Sequence, residues 1–208
     1  MASEEPGSLL IQFARAPIVG RVKTRMVPAL SPEQACDLHC RLVLRTSGML
    51  VRAALGPVHL AVAGDLGYPL FRECLELGVS SLEPQRGVDL GQRMYHAIDR
   101  GLDRYSRVVL VGSDCPDLDA GYLARAVAGL NRVPVVLGPA NDGGYVLVAV
   151  RVRNAQMFRE IPSGTPEVLE ATRRRLQESG VAWIELESLA DIDRPEDLAG
   201  WQDLLPQP

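Results

Sequence analysis

No stretch of this chain approaches the roughly 18 consecutive apolar residues that a membrane span requires, which sets aside membrane-spanning functions. Cysteine is sparse. Cys36, Cys40, Cys74 and Cys115 are scattered, with neither zinc-ligand spacing nor the density of a secreted disulfide framework. Cys36, His39 and Cys40 would share part of one helix face, but no fourth metal ligand is evident, and free thiols commonly serve as small buried hydrophobes. Positive charge is not in excess. With 22 Lys and Arg against 26 Asp and Glu, the formal net charge is -4, which offers no field for nucleic acid or an anionic membrane. The opening MASEEPGS is acidic and polar, the reverse of a secretory signal, so a cytoplasmic protein is expected. Repeats, low-complexity tracts and linkers are missing, as are the phosphate-binding signatures GxxxxGK(S/T) and GxGxxG.

What is present is ordinary for a globular protein: 208 residues, 47% hydrophobic and 23% charged. The expected organisation is a polar leader over residues 1–8 and a single domain over 9–208. Leu9 to Ala14 reads as a first strand, followed by a basic loop from Pro17 to Pro28. Ser31-Pro32-Glu33-Gln34 is a capping box with proline at the first helical position, opening a helix to about Leu55. Strands follow at Val58 to Ala63 and Val79 to Leu82, with a short helix at Tyr68 to Leu77 between them. Leu90, Met94, Ala97, Ile98, Leu102 and Tyr105 recur at helical spacing and predict an amphipathic helix over 89–105. Val108 to Val111 is the central strand, and Asp119 caps a helix reaching Leu130. Val135 to Gly138 and Tyr145 to Val152 are strands separated by PANDGG. A helix from Thr165 to about Ser179, a strand at Val181 to Leu186 and a final helix capped by Asp193-Arg194-Pro195-Glu196 complete the chain. This alternation predicts a three-layer α/β fold built mostly on parallel sheet.

Four segments carry chemistry. The central strand ends on a carboxylate, Asp114, and in open α/β sheets ligands bind at the carboxyl ends of strands. A carboxylate there needs a cation, a donor or solvent, and oxygen ligands beside a diphosphate suit Mg²⁺ or Mn²⁺. Gly20, Lys23 and Arg25 lie in the loop after the first strand, where glycine admits an anion to the backbone and the two cations donate to it. Arg15 adds to that cluster. Gln85 to Gly91 leads into a helix N-terminus, which favours an anion or a polar base edge, while Asp89 also suits a cap. Asn141-Asp142-Gly143-Gly144-Tyr145 is a turn sequence that also offers Asp142 as a general base or a ligand for an acceptor hydroxyl.

FARAPIVGRVKTRM, GVDLGQRM, VLVGSDCPDL, GPANDGGYVLV, GTPEVLEAT and LADIDRPEDL, in that order, resemble a bacterial group of glycosyltransferase-A-like proteins. Its members are described as nucleotide-diphospho-sugar transferases, some tied to arsenosugar biosynthesis, and the group looks related to small guanylyltransferases. The resemblance covers roughly residues 8–200 and implies a mixed sheet with Tyr145 to Val152 antiparallel. It further implies that Lys23 and Arg25 meet the phosphates, that Gln85 and Gly87 lie near the nucleotide, and that Asp114 and Asp193 hold the metal. Gly143, Tyr145 and Thr165 would then face the acceptor. The chain departs from the usual transferase pattern, since Asp114 is followed by Cys115 and Pro116 rather than by an Asp-x-Asp pair. Ser163-Gly164 also stands where many members have tryptophan.

The leading expectation is a metal-assisted glycosyltransferase that takes a nucleotide-diphospho-sugar and a small-molecule acceptor, with Asp142 as base. The alternatives are a nucleotidyltransferase acting on a phosphorylated small molecule and a nucleotide-sugar binding module without turnover. The oligomeric state is not legible.

Overall fold

The computed structural model describes residues 7–160, 165–201 and 204. Residues 1–6 of the expected leader, and Ser163-Gly164, lie outside the described residues. The strands are β1 (Ser8–Arg15), β2 (Val58–Ala63), β3 (Ser81–Pro84), β4 (Arg107–Val111), β5 (Val135–Pro139), β6 (Tyr145–Val150) and β7 (Trp183–Glu185). The helices are α1 (Pro32–Ala53), α2 (Pro69–Glu76), α3 (Leu90–Gly101), α4 (Ala120–Gly129) and α5 (Val168–Glu178). They form a three-layer α/β fold on a seven-stranded sheet of order β3-β2-β1-β4-β6-β5-β7. All neighbours are parallel except β6, which runs antiparallel to both β4 and β5.

Local chemistry explains the helix starts. The Ser31 hydroxyl accepts from the Gln34 N–H at 3.2 Å while the Gln34 side chain accepts from the Ser31 N–H at 2.9 Å, satisfying two orphan donors of α1. Asp89 and Asp119 cap α3 and α4 by accepting from Gln92 and Tyr122 N–H at 2.8 and 2.7 Å.

Strand alternation then fills two cores. Leu10, Val109, Val111, Leu147 and Ala149 face one layer with α1, α2 and α4, and Leu9, Ile11, Val108, Leu110, Val148 and Val150 face the other with α3 and α5. β4 is a continuous apolar run because both of its faces are covered. A third, separate cluster joins Met26 and Leu30 of the loop after β1 to Leu38 and Leu42 of α1 and to Ile192, Leu198 and Leu204 near the C-terminus. No helix among the described residues is long and apolar enough to cross a membrane.

α3 stops at Gly101 short of the expected 105, and β3 and β7 shift by one or two residues at their ends; two further differences matter more. The final helix is a single 3-10 turn, Pro195–Leu198, closed by Asp197, whose carboxylate accepts from the N–H groups of Asp193 and Arg194. The cap therefore comes from downstream rather than from Asp193, and the turn ends after one cycle. α5 begins at Val168 rather than Thr165, and its Leu169 N–H donates to the Gly143 carbonyl at 2.9 Å, tying the helix to the β5–β6 turn.

Candidate active site

β1 and β4 run side by side in the same direction, from the Ser8–Arg107 pair to the Gln12–Val111 pair, so Arg15 and Asp114 leave the sheet at one edge. Because β6 is reversed, the turn between β5 and β6 also sits at that edge. The C-terminal segment crosses it as well. Ala140 bridges Leu189, the Asn141 N–H donates to the Leu189 carbonyl, and the Ile192 N–H donates to the Asp114 carbonyl at 2.8 Å. Residues from four distant parts of the chain thus meet at the mouth of the sheet.

Lys23 is the anchor. Its backbone is left-handed (φ 49°, ψ 37°), an uncommon conformation for a residue with a Cβ and one that clusters at functional sites. Its side chain is 4% exposed, and a buried ammonium is tolerated only when paired. Nζ lies 2.7 Å from Asp114 Oδ1 and also donates to the Ile192 carbonyl. The Asp114 side chain remains 49% exposed, so one side of this pair is open to a ligand. Loss of water raises the Asp114 carboxyl, but the Lys23 ammonium outweighs that by charge and by hydrogen bond, with His39 and Arg15 adding to it, and holds it below the usual carboxylate range. Arg25 pairs with Asp193 at 2.5 Å in a partly exposed contact, the kind that adds little stability and yields readily to a phosphate.

Asp191 is the residue that sequence reasoning missed. Burial, together with the like charges of Asp114 and Asp142, pushes its carboxyl up to about 7, Lys23 opposing and Asp193 adding to the rise. The signal was the DID spacing: in an extended segment, residues two apart share a side, and here they flank buried Ile192. The folded chain holds the Asp191 proton up to about pH 7, whereas an unconstrained Asp releases it near 3.8. Stability therefore declines as pH rises through that window and is flat above it. Asp191→Asn removes the decline. In thermal melts its gain over the parent is expected to be smallest near pH 4 and largest near pH 8, and parallel curves would refute the shift.

A buried hydrogen-bond network supports Asp114 from behind. Gln12 on β1, fully buried, donates to the Val43 carbonyl and to Ser113 Oγ at 3.0 and 2.9 Å and accepts from Ser47 Oγ at 2.6 Å. Ser113 in turn donates to the Phe13 carbonyl at 2.8 Å, so the residue before Asp114 is locked to β1. Gln12→Leu keeps the volume but strands these partners, and urea unfolding should show a loss of about 2–4 kcal/mol. His39 on α1 is a second support. Its Nε2 donates to the Arg15 carbonyl at 3.0 Å, and burial holds its pKa below the usual histidine range, so the ring is neutral at physiological pH. Neither Cys36 nor Cys40 joins the site; burial raises both thiols, Cys40 to about 12.

The remaining sequence-predicted residues are distributed unevenly. Gln85 sits at the same edge, but its NH₂ group is spent on the Ala14 and Ala61 carbonyls, leaving its own carbonyl for a ligand. Gly87 has φ 135° and packs against Gln92 and Arg93 where α3 begins, so a side chain there would collide with the helix. Gly20 lies in open space on the basic loop. Asp142 is exposed, and its Oδ1 accepts from the Gly144 N–H at 2.9 Å, an Asx turn. Gly143 is pressed against Pro166, whose carbonyl would stand 2.2 Å from a Cβ. Thr165 is exposed and its Oγ1 accepts from the Glu167 N–H. Tyr145 is part-buried. The register skips a residue where Gly138 pairs with Leu147 and Pro139 with Tyr145, and this bulge aims the ring at the α3 layer, where its hydroxyl meets Met94 Sδ at 3.8 Å.

Among the described residues no three His, Cys, Asp or Glu side chains form a ready metal cage. The donor set nonetheless fits a hard divalent cation. Mg²⁺ is ordinarily held by one or two carboxylates together with substrate phosphates, and the mutual repulsion registered at Asp191 is what a cation would relieve.

A 2-phospho-L-lactate guanylyltransferase from Methanothermobacter thermautotrophicus is 28% identical over 129 residues, covering 62% of this chain and 56% of the relative, so the chain spans little more than half of that protein. A solved protein from Desulfovibrio desulfuricans G20, provisionally assigned as a nucleotide-diphospho-sugar transferase, superposes with a TM-score of 0.83 at 29% identity, covering 92% of this chain and 84% of its own. A Mycobacterium tuberculosis H37Rv protein solved as a manganese complex shares the fold at 17% identity and a TM-score of 0.55, covering 97% of this chain and 99% of its own. The architecture is that of nucleotidyltransferases and nucleotide-diphospho-sugar transferases. Residues 46–165 match the family described as "Uncharacterized protein conserved in bacteria (DUF2064)", and the chain belongs to it.

Proposed function

We propose that this protein is a nucleotidyltransferase that moves a nucleoside monophosphate from a nucleoside triphosphate onto a phosphorylated small molecule, with residues 9–208 acting as one transferase domain in the cytoplasm. The observation that carries the reading is the pairing of a half-open Lys23–Asp114 site with an Asp142 whose carboxylate is engaged in its own turn. An acceptor phosphate is already anionic and needs no protein base. Its oxygen attacks the α-phosphorus, a P–O bond forms, the bond to the β-phosphate breaks, and pyrophosphate leaves with the electron pair. Lys23, Arg25 and Arg15 neutralise the charge that gathers on the phosphates, acting from fixed positions at the sheet edge. The Gln85 carbonyl and the backbone around Gly87 face the base side of the nucleotide. Asp114 and Asp193, with Asp191 beside them, would hold Mg²⁺ or Mn²⁺, which supplies Lewis-acid neutralisation of the triphosphate when bound. Manganese in a neighbour of the same fold and guanylyl transfer in the curated relative support this reading.

Glycosyl transfer is the second reading, favoured by the Desulfovibrio relative that covers most of the chain. There Asp142 accepts a proton from an acceptor hydroxyl, Gly143 and Thr165 line the acceptor side, and arsenosugar-type acceptors are one candidate class. One variant separates the two readings. Asp142→Asn preserves the Asx turn, so nucleotidyl transfer predicts triphosphate affinity and pyrophosphate release within a few-fold of the parent. General-base catalysis predicts a loss of about 10²–10⁴ in turnover with donor affinity retained. Pyrophosphate release is measured for each nucleoside triphosphate over a panel of phosphorylated acceptors with Mg²⁺ or Mn²⁺. Donor hydrolysis from nucleotide sugars without pyrophosphate release would overturn the first reading.

A further inference from the structure

At the opposite end of the sheet, where β4 begins and β6 ends, lies a cleft of about 490 Å³ whose lining contains Arg107, Arg151 and Arg153 and no carboxylate. We propose that it is a second anion site, distinct from the transfer site, that takes a phosphorylated small molecule of nucleotide size. The lining makes the case. The antiparallel β4–β6 ladder ends at the Val108–Val150 pair, and the residues next beyond it on the two segments, Arg107 and Arg151, both line the cleft. Like charges gathered in one cleft repel each other unless something neutralises them. Among the described residues no carboxylate comes within ion-pair distance of either one. Arg107 donates to Asn131 Oδ1 at 2.9 Å and Arg151 to the Val133 carbonyl at 3.3 Å. Each of these bonds uses only part of a guanidinium that carries five donors and suits phosphate oxygens in pairs.

Arg153 differs. It pairs with Asp99 and Asp103, neither of which is part of the lining, so its charge is already neutralised. Leu102 and Val152, both part-buried, supply a small apolar wall for the carbon part of a ligand, and the volume falls within the range of small-molecule sites. An adjoining cavity of about 190 Å³ shows the contrast. It is lined by Arg100 and Arg104 but also by Glu83 and Asp103, and Arg100 pairs with Glu83 at 3.0 Å. The larger cleft has no carboxylate in its lining to do the same for Arg107 and Arg151. It is separated from Asp114 by the length of β4, roughly 15 Å at the usual rise per strand residue, and the buried strand lies between the two places.

The test is calorimetric titration with inorganic pyrophosphate, repeated with adenosine 5'-diphosphate to learn whether the apolar wall contributes. The parent is expected to bind two equivalents of pyrophosphate. Lys23→Ala combined with Arg25→Ala should lose the transfer site and keep one equivalent. Arg107→Gln combined with Arg151→Gln should lose the other, with at least a ten-fold fall in affinity, and keep the first. Arg151→Gln alone, at an exposed strand end, repeats the measurement in a protein whose fold is not in question. Tighter binding of adenosine 5'-diphosphate than of pyrophosphate at this place supports an organic phosphate as its ligand, and equal binding overturns that assignment. Absence of binding to the Lys23/Arg25 variant, or parent-like stoichiometry in Arg151→Gln, overturns it.

Discussion

Lys23→Met is expected to reduce turnover by about 10²–10³ while leaving the fold intact, the cost of deleting one preorganised charge from a transfer site. Methionine replaces the buried aliphatic stem with apolar volume, so packing against the loop survives. What disappears is the ammonium between Asp114 and the Ile192 carbonyl. Triphosphate affinity should fall by about ten-fold or more, since a charge-assisted bond is worth roughly 1.5–3 kcal/mol. Asp114 is half-exposed, so water takes the vacated place and circular dichroism stays parent-like. Arg25→Ala should cost less, because that side chain is 54% exposed and already shares its charge with Asp193. Parent-like nucleotide affinity in Lys23→Met would remove the loop from the site.

Asp114→Asn should have an effect of similar size through the cation. The change is nearly isosteric, removes the charge and leaves Lys23 with the Ile192 carbonyl alone. Nucleotide affinity in the parent is expected to rise when Mn²⁺ replaces EDTA, and the variant should lose that increment while keeping any metal-independent part. Equal parent affinity under the two conditions would deny Asp114 a metal role before any variant is made.

The fold was legible where local chemistry decides the structure. β2 is bounded by Pro57 and Gly64, and its observed limits, Val58–Ala63, are those the apolar run suggests. The start of α1 follows from four residues that satisfy one another's donors. Asp114 could be located because a β-branched run must be buried and must stop at an edge. The rest of the candidate site depends on long-range meetings that no local pattern encodes. Asp191 acquires its raised pKa only when folding buries it and brings Asp114 and Asp142 near. The left-handed backbone of Lys23 and the carbonyl restraint by His39 are likewise products of packing. Which layer Tyr145 joins was not legible either, because a single skipped residue in the ladder decides it and sets the ring in the α3 layer. The last 3-10 turn looked like a helix because its capping residues are good ones, but a four-residue turn has no periodicity to read.

The apolar plug that joins Met26 and Leu30 to Ile192 and Leu198 stands apart from both sheet cores. It fastens the segment carrying Asp191 and Asp193 onto the loop carrying Lys23 and Arg25, so the C-terminal strap docks on a sheet able to exist without it. Such a unit opens at a lower free energy than the sheet does. Deuterium should enter the amide of Ile192 well before those of Val109 and Leu110, and saturating nucleotide should slow the first exchange far more than the others. Docking of this segment is then a step separable from formation of the sheet, and a nucleotide held at the candidate site would act as a clasp on it.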